Sequence, residues 1–136
     1  MALLRAATSA DAPSVLALWR EAGAEPTHTD NLESVSRLLK RDPASLIVAE
    51  VNSSIVGSVI AAWDGWRGSI YRLAVAPSHR RRGLGLQLVR AAEERLRGVG
   101  ASRLQAIAVE SDFHAAAFWR ASGWEEQTER LRFVQG

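Results

Sequence analysis

Apolar residues recur along the chain with two spacings, and the switches between them mark out the elements. Leu3 and Leu4 open a short strand. Thr8-Ser9-Ala10-Asp11 then offers side-chain oxygens for an N-cap, and Pro13 suits a first helical turn. Val15, Leu18, Trp19 and Ala22 follow three or four apart, which predicts a helix with one buried stripe that includes Trp19 and ends at Gly23. The polar stretch from Glu25 to Asp30, with Pro26, reads as a loop. A second helix is expected from about Asp30 to Lys40, with Leu32, Val35, Leu38 and Leu39 inward and Pro43 beyond its end. Leu46 to Val51 and Ile55 to Trp63 are rich in β-branched residues and are separated by Asn52-Ser53-Ser54, a hairpin signal. Ile70 to Val75 adds a third run, giving an antiparallel meander. Gly57 inside the second run points to a bulge or a close approach.

Helical spacing returns at Leu84, Leu88, Ala91, Ala92 and Leu96, with Arg90, Glu93, Glu94 and Arg97 on the outer surface and Gly98 and Gly100 at the end. Leu104 to Val109 reads as a buried strand. The helix before it makes a crossover, so this strand is expected parallel to the one ending at Val75. Asp112 is a cap candidate for a last helix containing Ala116, Trp119 and Arg120, which Gly123 closes. Trp124 to Val134 is expected to form a final strand or short hairpin. The fold class is therefore α/β, a mixed and mostly antiparallel sheet flanked by about four helices, in a single domain over residues 1–136.

The stretch Val75-Ala76-Pro77-Ser78-His79-Arg80-Arg81-Arg82-Gly83-Leu84-Gly85 joins a strand to a helix and carries the clearest chemistry. Pro77 has no amide to donate to a ladder, while Gly83 and Gly85 lack the Cβ that would keep a ligand from the backbone. Free amides at the start of a helix, beside three arginines, suit phosphate oxygens. A P-loop is excluded because no Gly-Lys-Ser/Thr follows. A dinucleotide fingerprint is excluded because Leu88 stands where its third glycine belongs.

At these residues the chain resembles the GNAT superfamily of acetyl-coenzyme A dependent N-acetyltransferases. Arg80-x-x-Gly83-x-Gly85 after Val75-x-Pro77 matches the family's pyrophosphate loop, and Ala115-x-x-x-Trp119-x-x-x-Gly123-Trp124 matches its late pattern. The order of elements agrees along nearly the whole chain. The resemblance implies a GNAT-like fold and transfer of an acetyl group from acetyl-CoA to a primary amine by direct attack in a ternary complex. It implies that backbone groups of Leu73, Ala74 and Val75 bind the pantetheine arm. The pyrophosphate is assigned to Arg80, Arg81, Arg82, Gly83, Leu84, Gly85 and Leu86, with Asp112 and Trp119 as further cofactor contacts. It also implies that the first two helices and their connection border the acceptor.

The chain departs from the family pattern at three positions. Trp119 replaces the tyrosine that protonates the departing thiolate in many relatives, and an indole N–H is no useful acid. Ser69 stands where some relatives carry a glutamate base. Asp112 replaces a commonly found asparagine. Glu110, at the end of the fifth strand, and Tyr71, the only tyrosine, remain as catalytic candidates, the first as a proton acceptor and the second to orient an acceptor or serve as an acid. His79 is assigned to packing under the loop, and the three histidines show no metal-ligand spacing.

Composition narrows the partners. With no cysteine, disulfides and thiolate metal sites are excluded. No apolar run reaches about 18 residues and no basic-then-apolar leader opens the chain, so the expected location is cytoplasmic, without a membrane span. The net charge is only +2, and the one run of three like charges is Arg80 to Arg82. That fits a small polyanion better than a nucleic acid, which would meet a wider basic face interleaved with aromatics. The expected partners are acetyl-CoA and an amine that the sequence does not identify, with a homodimer as the candidate assembly and no metal. The rival reading is a non-catalytic acyl-CoA-binding module of the same fold.

Overall fold

A computed structural model describes residues 1–108 and 113–136. They form two compact units, Met1–Ala106 and Ile107–Gly136. In the first, a five-stranded sheet runs in sequence order, β1 (Leu3–Ala6), β2 (Leu46–Val51), β3 (Ser54–Trp63), β4 (Gly68–Val75) and β5 (Leu104–Ala106). The first three pairings are antiparallel and β4–β5 is parallel. The crossover between β4 and β5 is the long helix α3 (Leu84–Gly98). Helices α1 (Ala12–Glu21) and α2 (Leu32–Arg41) separate β1 from β2. The α/β class and the mixed, mostly antiparallel sheet are as the sequence predicts.

Alternation along β3 assigns the two faces. Gly57 lies under Leu84 and Leu88 of α3, whereas Ser58 receives a hydrogen bond from Trp19 of α1, so α3 and α1 cover opposite sides. Val48, Val59, Leu88, Val89, Ala92 and Leu96 are fully buried in this core. Asn52 and Ser53 both adopt positive φ (49° and 65°), which makes a two-residue hairpin turn whose twist suits the strands, and β3 begins at Ser54. Gly57 adjoins a register shift in the β2–β3 ladder and is also a close approach, since a Cβ there would stand 2.9 Å from Leu88 Cδ1. Helix α1 ends as expected, with Gly23 N–H bonded to the Arg20 carbonyl and Ala24 N–H to that of Trp19.

Several expectations need correction. Helix α2 starts later than Asp30: Asn31 is its N-cap, with Oδ1 accepting from Ser34 N–H, which turns Leu32 to solvent at 52% exposure. Asp30 is paired instead with Arg72 of β4. In α3 the buried stripe includes Val89, and Ala91 is only half-buried. Among the described residues, strand β5 spans only Leu104–Ala106, and Ile107, at 58% exposure, already lies outside the ladder. Val109 lies outside the described residues.

The second unit holds α4 (Phe113–Ala121), which ends in the same bond pattern as α1, with Gly123 N–H to Arg120 and Trp124 N–H to Trp119. The proposed capping role of Asp112 falls outside the described residues. Trp124 to Val134 forms neither strand nor hairpin among the described residues, and Leu131, Phe133 and Val134 are exposed. Their apolar spacing resembles a strand, but spacing makes a strand only where a ladder partner supplies hydrogen bonds. Among the described residues, no helix is long and apolar enough to cross a membrane.

Candidate functional site

The site is built on β4 and the segment that carries the chain from it into α3. Pairing of β4 with β5 runs Gly68↔Leu104, Ser69↔Gln105 and Ile70↔Ala106, and among the described residues it stops there. Beyond Ile70, β4 keeps β3 on one side, with Ala74 opposite Ser58 and Val75 opposite Gly57. Among the described residues, its other edge carries no β5 ladder at Leu73, Ala74 or Val75. Such an edge presents backbone donors and acceptors in a row. Leu73 and Val75 are half-buried and Ala74 is buried, so their side chains pack while their backbone supplies the edge.

After Val75 the chain makes one 3₁₀ turn, Pro77–His79, and reaches α3. The Ser78 hydroxyl and His79 Nδ1 share a hydrogen bond of 2.9 Å, and His79 is half-buried. Arg81 takes a left-handed φ of 63° and Gly83 one of 78°. Gly83 is the N-cap of α3 and supplies no side chain to its amides. Gln87 is the first residue whose N–H reaches back, to Gly83 O at 3.1 Å, leaving the amides of Leu84, Gly85 and Leu86 without an intrahelical acceptor. Leu84 is buried beneath them, Gly85 is half-buried and Leu86 is exposed. A Cβ on Gly83 would meet no protein atom, so glycine is required by its φ rather than by crowding from the protein.

The three arginines do not act alike. Arg80 donates from Nε to Val75 O (3.1 Å) and from Nη2 to Ala22 O (2.9 Å), which ties the strand end to the end of α1. It is a brace, a role that a run of like charges does not disclose. Arg81 and Arg82 are exposed and make no hydrogen bond or ion pair with the described residues, so their charge is available to an anion at the α3 amides.

Tyr71 is 49% exposed rather than packed in the core, opposite Ile60 in the β3–β4 ladder. Ser69 accepts a hydrogen bond of 3.1 Å from Gln105 Nε2 across the parallel pair. Glu110 and Asp112 lie outside the described residues. Trp119 is half-buried in the second unit, edge-to-face with Phe118 and Trp124 at centroid distances of 5.6 and 4.8 Å. No group of three or more His, Asp or Glu among the described residues is placed to hold a metal ion.

Sequence reasoning missed Arg72. This residue sits inside β4 with φ 52°, and the ladder passes from Ile60↔Tyr71 to Ser58↔Ala74, so Arg72 and Leu73 together oppose Val59. The strand is therefore bulged where it leaves β5. A charged residue within an apolar run was the only available signal.

Among the described residues, a strand edge without a ladder partner thus leads into a helix start without a side-chain cap, and both offer backbone hydrogen-bonding groups. The model of the acetyltransferase (GNAT) family matches residues 12–124, and the chain belongs to that family. An acetyltransferase of Yersinia pseudotuberculosis is 33% identical over 117 residues, covering 86% of this chain and 83% of that protein. Among solved structures, an aminoglycoside 6′-N-acetyltransferase from Acinetobacter haemolyticus superposes with TM-score 0.79 at 19% identity, covering 98% of each chain. The PaiA N-acetyltransferase of Thermoplasma acidophilum, solved in complex with coenzyme A, gives 0.78 at 13% identity over 89% of this chain and 87% of its own. These two likenesses concern the fold.

Proposed function

We propose that the chain, acting over residues 1–136 as one domain, transfers an acetyl group from acetyl-CoA to a primary amine by direct attack in a ternary complex. The observation that carries this reading is the continuity of the open β4 edge with the uncapped start of α3. A ligand with an amide-bearing arm and a pyrophosphate needs both, in that order. The residues fit such a ligand: amides of Leu84, Gly85 and Leu86 for the pyrophosphate, Arg81 and Arg82 for its charge, and Leu73 to Val75 for the arm. The Thermoplasma protein of the same fold was solved with coenzyme A, which supports coenzyme A as the class of ligand.

Acetyl-CoA supplies an activated acyl group and a thiol leaving group; the chain supplies placement. Backbone hydrogen bonds along β4 are assigned to fix the arm, and backbone amides at the bulge, where the β3–β4 register shifts, are assigned to stabilise charge on an acyl oxygen. The exposed Tyr71 hydroxyl is assigned to orienting the acceptor, and Glu110 to accepting its proton. The test is denaturant unfolding with and without acetyl-CoA, where about a hundredfold excess over Kd should add about 2.7 kcal/mol. No stabilisation at millimolar ligand would remove the reading.

A second reading, a non-catalytic acyl-CoA-binding module, is favoured by one observation: the Ser69 hydroxyl is occupied by Gln105 and provides no carboxylate. That reading predicts the same stabilisation but no amine-dependent release of thiol.

A further inference from the structure

Arg72 is fixed from two directions. Below it, its carbonyl accepts 2.9 Å from Ser58 Oγ, and that hydroxyl accepts 2.9 Å from Trp19 Nε1. Ser58 is fully buried and Trp19 is 4% exposed, so the left-handed backbone of Arg72 is held by a chain of donors reaching it from α1 through β3. Above it, the guanidinium lies over the Trp19 indole, with Cζ 5.5 Å from the ring centroid. Its Nε and Nη2 grip the Asp30 carboxylate at 3.2 and 2.6 Å, and Nη2 also donates to Glu25 O at 2.9 Å. Asp30 in turn accepts from Thr27 N–H at 3.1 Å, closing the 25–30 loop on itself.

One residue thus shapes the β4 edge through its backbone and holds the 25–30 loop through its side chain. We infer that Arg72 is a positioning residue that couples the 25–30 loop, as the wall met by the amine acceptor, to the β4 edge that aims the thioester. This rests on the acetyl-transfer reading. The loop lies within one arginine length of the bulge, so an amine approaching β4 from the α1 face meets it. The ion pair is poorly exposed, at 18% for Arg72 and 17% for Asp30, and its geometry uses both carboxylate oxygens, so it is a specific clamp rather than a loose surface pair. Ordering either element orders the other, and the effect is reciprocal.

The test is hydrogen exchange of the full chain with and without coenzyme A, for the parent, Arg72→Gly and Asp30→Asn. Glycine accepts the left-handed backbone, so Arg72→Gly removes the clamp while permitting the bulge; Asp30→Asn breaks the clamp from the other side if the first variant folds poorly. In the parent, coenzyme A should slow exchange in β4 and at the start of α3, and also in residues 24–31 by about fivefold or more, the low end of ordinary coupling between sites. In the variants the β4 and α3 protection should persist and that of 24–31 should largely vanish. With an acceptor in hand, both variants should raise its KM far more than they weaken coenzyme A binding. Protection of 24–31 that is absent in the parent, or equal in the variants, overturns the coupling while leaving the proposed function standing. If coenzyme A protects nothing in the parent, the acetyl-transfer reading falls and takes the coupling with it.

Discussion

Replacing Gly57 with alanine places an added methyl between the sheet and the start of α3. Its Cβ would lie 2.9 Å from Leu88 Cδ1, 3.3 Å from Ala49 Cβ and 3.4 Å from Leu84 Cδ2. Leu88 and Ala49 are fully buried and Leu84 nearly so, leaving no side chain free to swing into water. Relief requires α3 to shift outward by a few tenths of an ångström, or Leu88 to leave its rotamer. Overpacking of this kind costs about 1–3 kcal/mol. Because Leu84 and Leu88 belong to the first turns of α3, the shift also moves the amides assigned to the pyrophosphate. Urea unfolding of the parent, Gly57→Ala, Leu88→Val and the double variant measures the effect. Valine removes the Cδ1 atom in question, so the double variant should be less destabilised than the sum of the singles by at least about 0.5 kcal/mol. If Gly57→Ala lies within about 0.5 kcal/mol of the parent, or the two changes simply add, the contact does not set the height of α3 over the sheet.

In the loop, Gly83→Val must force a β-branched residue to φ 78° and should sharply weaken acetyl-CoA binding as measured by calorimetry. Arg82→Ala should weaken it less, with a loss that shrinks at higher salt, whereas Arg80→Ala should act through a looser strand end and depend little on salt. At the other end of the sheet, Arg5 hydrogen-bonds Asp11 and holds its carboxyl down to about 2 from 3.8, with help from Thr8 N–H. Since the folded pKa is the lower one, this stabilisation is complete above the unfolded value and is lost as pH falls through about 2. The stability gap between parent and Asp11→Asn should therefore be wide at neutral pH and close as pH falls from about 4 to about 2. Trp119→Phe should retain activity within about tenfold, because a thiol of pKa near 8.5 leaves without a strong acid. With no glutamate at Ser69, α-amines of pKa about 7.7–8.0 should be preferred over ε-amines near 10.4, and kcat/KM should rise with pH up to the acceptor's own pKa. A loss above about a hundredfold in a folded, cofactor-binding Trp119→Phe protein would make the indole essential.

Local chemistry was legible where one element's own residues decide its form. The α1 and α3 stripes, the Asn52-Ser53 hairpin turn and the step from Val75 to Leu84 all follow from spacing, turn residues and proline. What failed to show depends on contacts distant in sequence. Asp30 reads as a helix start, yet it serves Arg72, 42 residues away. Arg80 is assigned to the pyrophosphate through the family loop pattern, and that pattern does not disclose its further bond from Nη2 to the carbonyl of Ala22, 58 residues earlier. Ile107 and Ala108 lie outside β5 although they continue its apolar run, because such a run does not say how far a ladder partner continues. The same limit applies to Trp124 through Val134, whose strand-like spacing finds no ladder among the described residues. The bulge at Arg72 has no signature in composition: positive φ in a non-glycine strand residue arises only when surrounding groups hold it there, as Ser58 and Asp30 do.

The most direct test of acetyl transfer is thiol release from acetyl-CoA across a panel of α-amines and ε-amines, with amine-free and protein-free controls, comparing the parent with Gly83→Val. Amine-dependent release by the parent, lost in a Gly83→Val protein that remains folded, is the expected result. Release that never exceeds the amine-free control for any acceptor, from a parent that binds acetyl-CoA, would contradict acetyl transfer and leave a binding module in its place.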